Sequence, residues 1–108
     1  MSEAPPVGRA VDYRDEAHRT ALVALLDAYA RDPMGGGVPL PDDVRSRLCD
    51  DLAALPAAAS FIAWQGDAPV GLANTFESYS TFKARPLLNV HDLVVLQPRR
   101  ARGVGQAL

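Results

Sequence analysis

Residues 87–96 read LLNVHDLVVL, and no other stretch of the chain constrains its fold as much. The run is rich in Leu and Val and follows the breaker pair Arg85-Pro86, which predicts a β-strand. A strand needs partners, and the chain supplies two just upstream. Residues 60–65 and 70–82 both read as strands, joined at Gly66-Asp67, a dipeptide suited to a tight hairpin turn. Val70, Leu72 and Phe76 alternate with Gly71, Ala73 and Thr75, the pattern of a strand with two unlike faces.

The first half of the chain has a different period. Asp15 is placed to cap a helix running to residue 31, with Leu22, Leu25, Leu26 and Tyr29 as its apolar stripe. Pro33 and the run Gly35, Gly36, Gly37 end it. Pro41 and Asp42 open a second helix, where a fixed φ and a negative charge both suit the first turn. Val44, Leu48, Leu52 and Leu55 mark its buried face, and Pro56 stops it. Residues 1–9, with Pro5 and Pro6, read as a loose lead-in, and residues 10–14 as a short first strand. The expected order is therefore strand, helix, helix, three strands, then the start of a helix. No internal repeat is visible.

Composition narrows the function classes. With 108 residues and 48% apolar content, the chain predicts one domain with a packed core. A formal charge of -2 argues against a general nucleic-acid binder. The single cysteine, Cys49, forms no internal disulfide and falls on an apolar helix stripe, which reads as buried packing. One Cys and two His provide no zinc spacing, so no metal is expected. The N-terminus has no charged-then-apolar signal region and no stretch approaches a membrane span, so the expected location is the cytoplasm, with neither membrane nor nucleic acid as partner.

The positive charge is nonetheless uneven, with Arg99, Arg100 and Arg102 close together near the end of the chain. A glycine-bearing turn between a strand and a helix presents unpaired backbone N–H groups in one direction. These and the positive end of the helix dipole bind phosphate. Gly103 and Gly105 allow close approach of a ligand, and Arg100 and Arg102 add charge-assisted donors. The dinucleotide fingerprint fails, because its third glycine would fall at Leu108. A P-loop fails for want of GK[ST]. From spacing alone, a pyrophosphate site and a helix start that merely contains glycines both stand.

Arg100-Ala101-Arg102-Gly103-Val104-Gly105 resembles the Q/R-x-x-G-x-G/A motif of the GNAT superfamily of N-acetyltransferases, including the apolar strand before it. A second pattern, W-x-x-x-x-P-V-G, is carried by Trp64, Pro69, Val70 and Gly71. The resemblance covers residues 10–108, read as a partial GNAT domain after the lead-in at 1–9. It implies an α/β fold of the α+β type, the N-terminal half of the acyl-CoA N-acyltransferase fold, with a mainly antiparallel sheet. Gln97-Pro98-Arg99 departs from the Pro-Glu usual before the motif.

What the resemblance implies about chemistry is specific. The pyrophosphate of acetyl-CoA, the acyl donor, would lie on Arg100, Ala101, Arg102, Gly103, Val104, Gly105 and Gln106. Leu93, Val94 and Val95 would pair with its pantetheine arm, and their backbone would polarise the thioester carbonyl. An amine acceptor must lose a proton before it attacks. The stretch FESYSTFKARPLLNVHDLVV is similar to that of diamine and polyamine acetyltransferases, which have two carboxylates where this chain has His91 and Asp92. An imidazole ordinarily titrates near about 6.5, which suits proton transfer at neutral pH, so His91 is the expected base, directly or through water. Strand neighbours point to opposite faces, so only one of the pair is expected to face the acceptor. A polar pair that simply satisfies itself in the strand remains the alternative. Glu77 and Tyr79 are candidates for a cationic acceptor, and the Gly35 to Gly37 loop lies where relatives cover theirs. Either feature also reads as plain surface.

A full domain of this family continues through a third helix, a fifth strand, a fourth helix and two more strands. The expectation is therefore a truncated product, or a chain completed by another copy or a second polypeptide across the exposed fourth-strand edge, or a non-catalytic module that binds CoA. The expected activity is acetyl transfer from acetyl-CoA to a primary amine of a small molecule, by direct attack.

Overall fold

A computed structural model describes residues 5–96 and 108. It contains β1 (Val7–Ala10), α1 (Glu16–Arg31), a 3-10 turn (Pro33–Gly35), α2 (Asp42–Ala53), β2 (Ala58–Gln65), β3 (Ala68–Ser80) and β4 (Arg85–Val95). The strands form a four-stranded sheet in the order β1-β2-β3-β4, each pair antiparallel. Both helices pack on one face. The expected α+β class and order of elements are present. The glycine motif and the helix expected to begin there lie outside the described residues.

Local chemistry accounts for most boundaries. The Asp15 carboxylate accepts the His18 backbone N–H at 3.0 Å and starts α1. Asp32 closes the end of α1 and caps the 3-10 turn by accepting the Met34 N–H at 2.9 Å. Gly66 turns the β2–β3 hairpin at a φ of 62°, a conformation that suits glycine.

Three expectations need correction. The first strand is Val7–Ala10, paired with residues 61–64, so part of the expected lead-in is strand. Residues 12–14 instead turn into α1, held by an Arg14 N–H donated to Asp12 Oδ1 at 2.9 Å. All four residues of β1 are exposed, so no apolar alternation marked it. Leu55 lies beyond the end of α2 and is 49% exposed, outside the buried face. Finally, β3 ends at Ser80, leaving Phe82 fully exposed in the turn.

The core sits between the helices and the sheet. Leu22 and Leu25 of α1 and Cys49 and Leu52 of α2 meet Ile62, Leu72 and Val94 from three successive strands. Leu22, Leu25, Ile62 and Leu72 are essentially inaccessible, and burial of each contributes about 1.5–3 kcal/mol. On the opposite face Ala63 and Val70 form a smaller cluster with Val95 and Leu108. Two polar anchors fix the helices. Arg19 Nη1 donates to the Tyr13 carbonyl and to Asp50 Oδ1, both at 2.9 Å, joining α1 to α2 and to the loop before it. Asp27 is 7% exposed, accepts the Leu40 N–H at 2.9 Å, and pairs with Arg31 Nε at 2.9 Å. No helix among the described residues is long and apolar enough to cross a membrane.

Candidate functional site

The polar residues of β4 are placed by a β-bulge. Asp92 pairs with Asn74, but the next pair is Val90 with Thr75, so His91 is an extra residue with no partner on β3. The bulge changes what each side chain meets. Asp92 Oδ2 accepts Asn74 Nδ2–H at 3.2 Å. The His91 ring lies edge-on to Phe76, with centroids 5.2 Å apart and planes at 76°. Asn74 and Phe76 are two apart on β3 and share the face that carries the helices. His91 and Asp92 therefore lie on one face of the sheet, not on two. The expectation that only one could face an acceptor fails because regular alternation stops at the bulge.

Asp92 is the end of a longer polar chain. Ser60 and Asn74 are only 3% and 4% exposed, and they sit opposite each other in the β2–β3 register. Ser60 Oγ donates to Asn74 Oδ1 at 2.7 Å. The Tyr13 hydroxyl lies 2.7 Å from Ser60 Oγ. A serine hydroxyl has one proton, and Ser60 has given it to Asn74, so Tyr13 is the donor. The amide orientation follows from the same inventory: a carboxylate accepts only, so Asn74 turns its N–H₂ to Asp92 and its oxygen to Ser60. Burial pushes the Tyr13 phenol above its ordinary value.

The remaining expected residues separate. Glu77 and Tyr79 alternate with Phe76 on β3, are exposed, and lie on the opposite face from Asp92. The structure does not bring them together with the β4 pair. Leu93 is 55% exposed, Val94 is buried in the main core, and Val95 joins the smaller cluster. The Leu96 N–H bonds the Val70 carbonyl at 3.0 Å, and the antiparallel alternation counted from there turns the N–H and C=O of Leu93 to the far edge of β4. An extended, amide-bearing arm fits such an edge. Arg100, Ala101, Arg102, Gly103, Val104, Gly105 and Gln106 lie outside the described residues. The Gly35 to Gly37 segment is folded back on α1, the Gly35 and Gly37 N–H groups both reaching the Asp32 carbonyl, at 2.8 and 3.0 Å.

Sequence reasoning missed Tyr13, Ser60 and Asn74. Ser60 and Asn74 did leave a trace, as polar residues inside otherwise apolar strands. Only the register shows that they touch.

The arrangement of two helices against an antiparallel four-stranded sheet is shared with solved acetyltransferases. An aminoglycoside acetyltransferase from an uncultured soil metagenomic sample, in complex with sisomicin, superimposes with a TM-score of 0.73 over 95% of this chain, at 19% identity. The chain carries the GNAT acetyltransferase fold. A GNAT family acetyltransferase of Staphylococcus aureus matches 94% of it with a TM-score of 0.71 and 16% identity, over 70% of its own length. The ribosomal-protein-alanine N-acetyltransferase of Brucella melitensis matches 95% of it at 0.69 and 20% identity. This chain spans 64% of the soil enzyme and 65% of the Brucella one. No protein-family model and no curated protein matches the sequence.

Proposed function

We propose that this protein is an N-acetyltransferase that moves an acetyl group from acetyl-CoA to a primary amine of a small molecule by direct attack. The observation that carries this reading is the β4 bulge, which sets an imidazole and a carboxylate on one face beside a strand edge. Acetyl-CoA, when bound, supplies an activated acetyl group. The chain's own residues would do the rest. The Leu93 backbone offers the edge for its arm, and the glycine segment from Arg100 to Gln106 offers donors for its pyrophosphate. The Asp92 carboxylate attracts the acceptor as its ammonium form, and His91 takes the proton that frees the nitrogen lone pair. The N–C bond then forms as the C–S bond breaks, and the departing thiolate takes the second nitrogen proton and leaves as the free thiol.

The acceptor follows from the charge at Asp92 and from the company the fold keeps. One similar structure holds sisomicin, and another is named for acetylation of a ribosomal-protein alanine. A small polyamine or aminoglycoside suits an exposed imidazole beside a half-buried carboxylate better than a bulky protein terminus does. The test is thiol release from acetyl-CoA with sisomicin, spermidine and an alanine-terminated peptide. Turnover of a small amine, lost with Gly103→Val, is the expected result. Absence of turnover with all three, together with no thermal shift on adding acetyl-CoA, would overturn the reading.

A second reading has its own observation. Along β4, Leu87, Leu88, Val90 and Leu93 are 43–60% exposed, and no second strand pairs with it among the described residues. This favours a non-catalytic CoA-binding or interaction fragment completed by another chain. Light scattering separates the readings: a monomer that turns over amines excludes the second.

A further inference from the structure

We propose that Tyr13, Ser60 and Asn74 form a positioning relay that aims and polarises the Asp92 carboxylate on the acceptor face of β4. The inference rests on the acetyl-transfer reading for its use, but its geometry stands without it.

Every donor in the chain points the same way. Tyr13 donates to Ser60, Ser60 donates to the Asn74 oxygen, and the Asn74 N–H₂ donates to Asp92 Oδ2. Each bond polarises the next in the same sense, so partial positive charge accumulates at the end that meets the carboxylate. Ser60 and Asn74 are buried and hydrogen-bonded on both sides, so neither has a rotamer to spare. The head of the relay is held as well, because Arg19 grips the Tyr13 carbonyl and reaches Asp50. Among the described residues Asp92 Oδ1 takes no hydrogen bond, so the fixed oxygen leaves its twin available for a ligand. The relay does not conduct protons. An amide would have to pass through its imidic acid form to do so, and Asn74 separates Ser60 from Asp92. Its effect is therefore direction and charge stabilisation.

The titratable groups around the relay are few. Tyr13 stands at its head, with Arg19 and Tyr29 of α1 and Cys49 and Asp50 of α2 on the helix side. His91 stands beside Asp92, and β2 and β3 contribute neutral side chains to this face.

The first test uses the intact chain and no substrate. In a ¹⁵N–¹H spectrum the Asn74 Nδ2–H proton that faces Asp92 should lie downfield of its position in an exposed asparagine, widening the gap to its geminal partner. That displacement should fall in Asp92→Asn and diminish in Tyr13→Phe and Ser60→Ala. A pair at the positions of an exposed asparagine, or a displacement unchanged in Asp92→Asn, would overturn the proposal. The second test is kinetic. Tyr13→Phe and Ser60→Ala should lower kcat/KM for the amine by roughly three- to tenfold and shift its pH profile, with KM for acetyl-CoA unchanged and Ser60→Thr retaining activity. Loss of Tm alone, with pH profile and amide signals intact, would reduce the relay to a structural seam and refute the positioning role. If no amine is turned over, the acetyl-transfer reading fails, and the amide spectrum still decides the relay.

Discussion

Replacing Asn74 should cost more than replacing Asn74 and Ser60 together. Asn74→Leu puts a side chain of similar size into a site only 4% exposed, so little volume changes. What changes is hydrogen bonding. The Ser60 hydroxyl, 3% exposed, loses its acceptor and can donate to the Tyr13 oxygen only if Tyr13 turns its own proton away, so the buried chain loses hydrogen bonding at a cost of about 1–3 kcal/mol. Asp92 loses its donor too, but it is only partly buried, and water replaces that bond at small cost. The expected penalty is thus about 2–3 kcal/mol, or roughly 10–20 °C in Tm for a domain of this size. Adding Ser60→Ala removes the stranded hydroxyl. Tyr13, only partly buried, then turns to water. The double variant should recover about 1 kcal/mol or more relative to Asn74→Leu alone. Urea unfolding followed by Trp64 fluorescence measures both. If the two costs simply add, Ser60 and Asn74 are not coupled, and the hydrogen-bond assignment is wrong.

Other expectations follow from the anchors. The Leu40 N–H holds the Asp27 carboxyl below its ordinary range, against the opposing effect of burial and with help from Arg31 and Arg45. A depressed folded value means its stabilisation is present above the unfolded value, near about 3.9, and lost as pH falls through the folded one. Asp27→Asn should therefore flatten the acid limb of a Tm-against-pH curve below about pH 4 and leave little slope to lose there. Gly35→Ala should destabilise by more than about 1 kcal/mol, because a Cβ there would land on the Tyr29 carbonyl oxygen; a neutral Tm would contradict that placement. Burial pushes the Cys49 thiol up, and the residue is 2% exposed, so a thiol reagent should modify it only as the protein opens. Labelling as fast as that of a free thiol would show that α1 and the sheet do not cover it.

Much of the fold was legible because its signals are local. Asp15 announces α1 by the same hydrogen bond that the structure shows, and Leu22 and Leu25 keep the helical period that buries them. Gly66 marks the hairpin turn by its conformation alone. The failures are of another kind. β1 is held by ladder bonds to β2 and buries nothing, so hydropathy is silent about it. The end of α2 rests on where its last turn closes, and Leu55 continues the apolar spacing beyond that point.

The site was half legible for a related reason. His91 and Asp92 stood out as polar residues inside an apolar strand, and both lie at the bulge. Their orientation could not be read, because a period of two holds only while each residue has a partner, and one inserted residue reverses every inference made across it. Ser60 and Asn74 lie 14 positions apart, and their meeting depends on the hairpin register. That register is set by the apolar residues around them: Ile62 and Leu72 pair and enter the core, so the polar residues two positions away must pair as well. Apolar packing thus places a serine and an asparagine where neither could be left unpaired. The cost of burying them alone makes the chain to Asp92 obligatory rather than incidental. The same core that stabilises the sheet therefore determines which way the Asp92 carboxylate points.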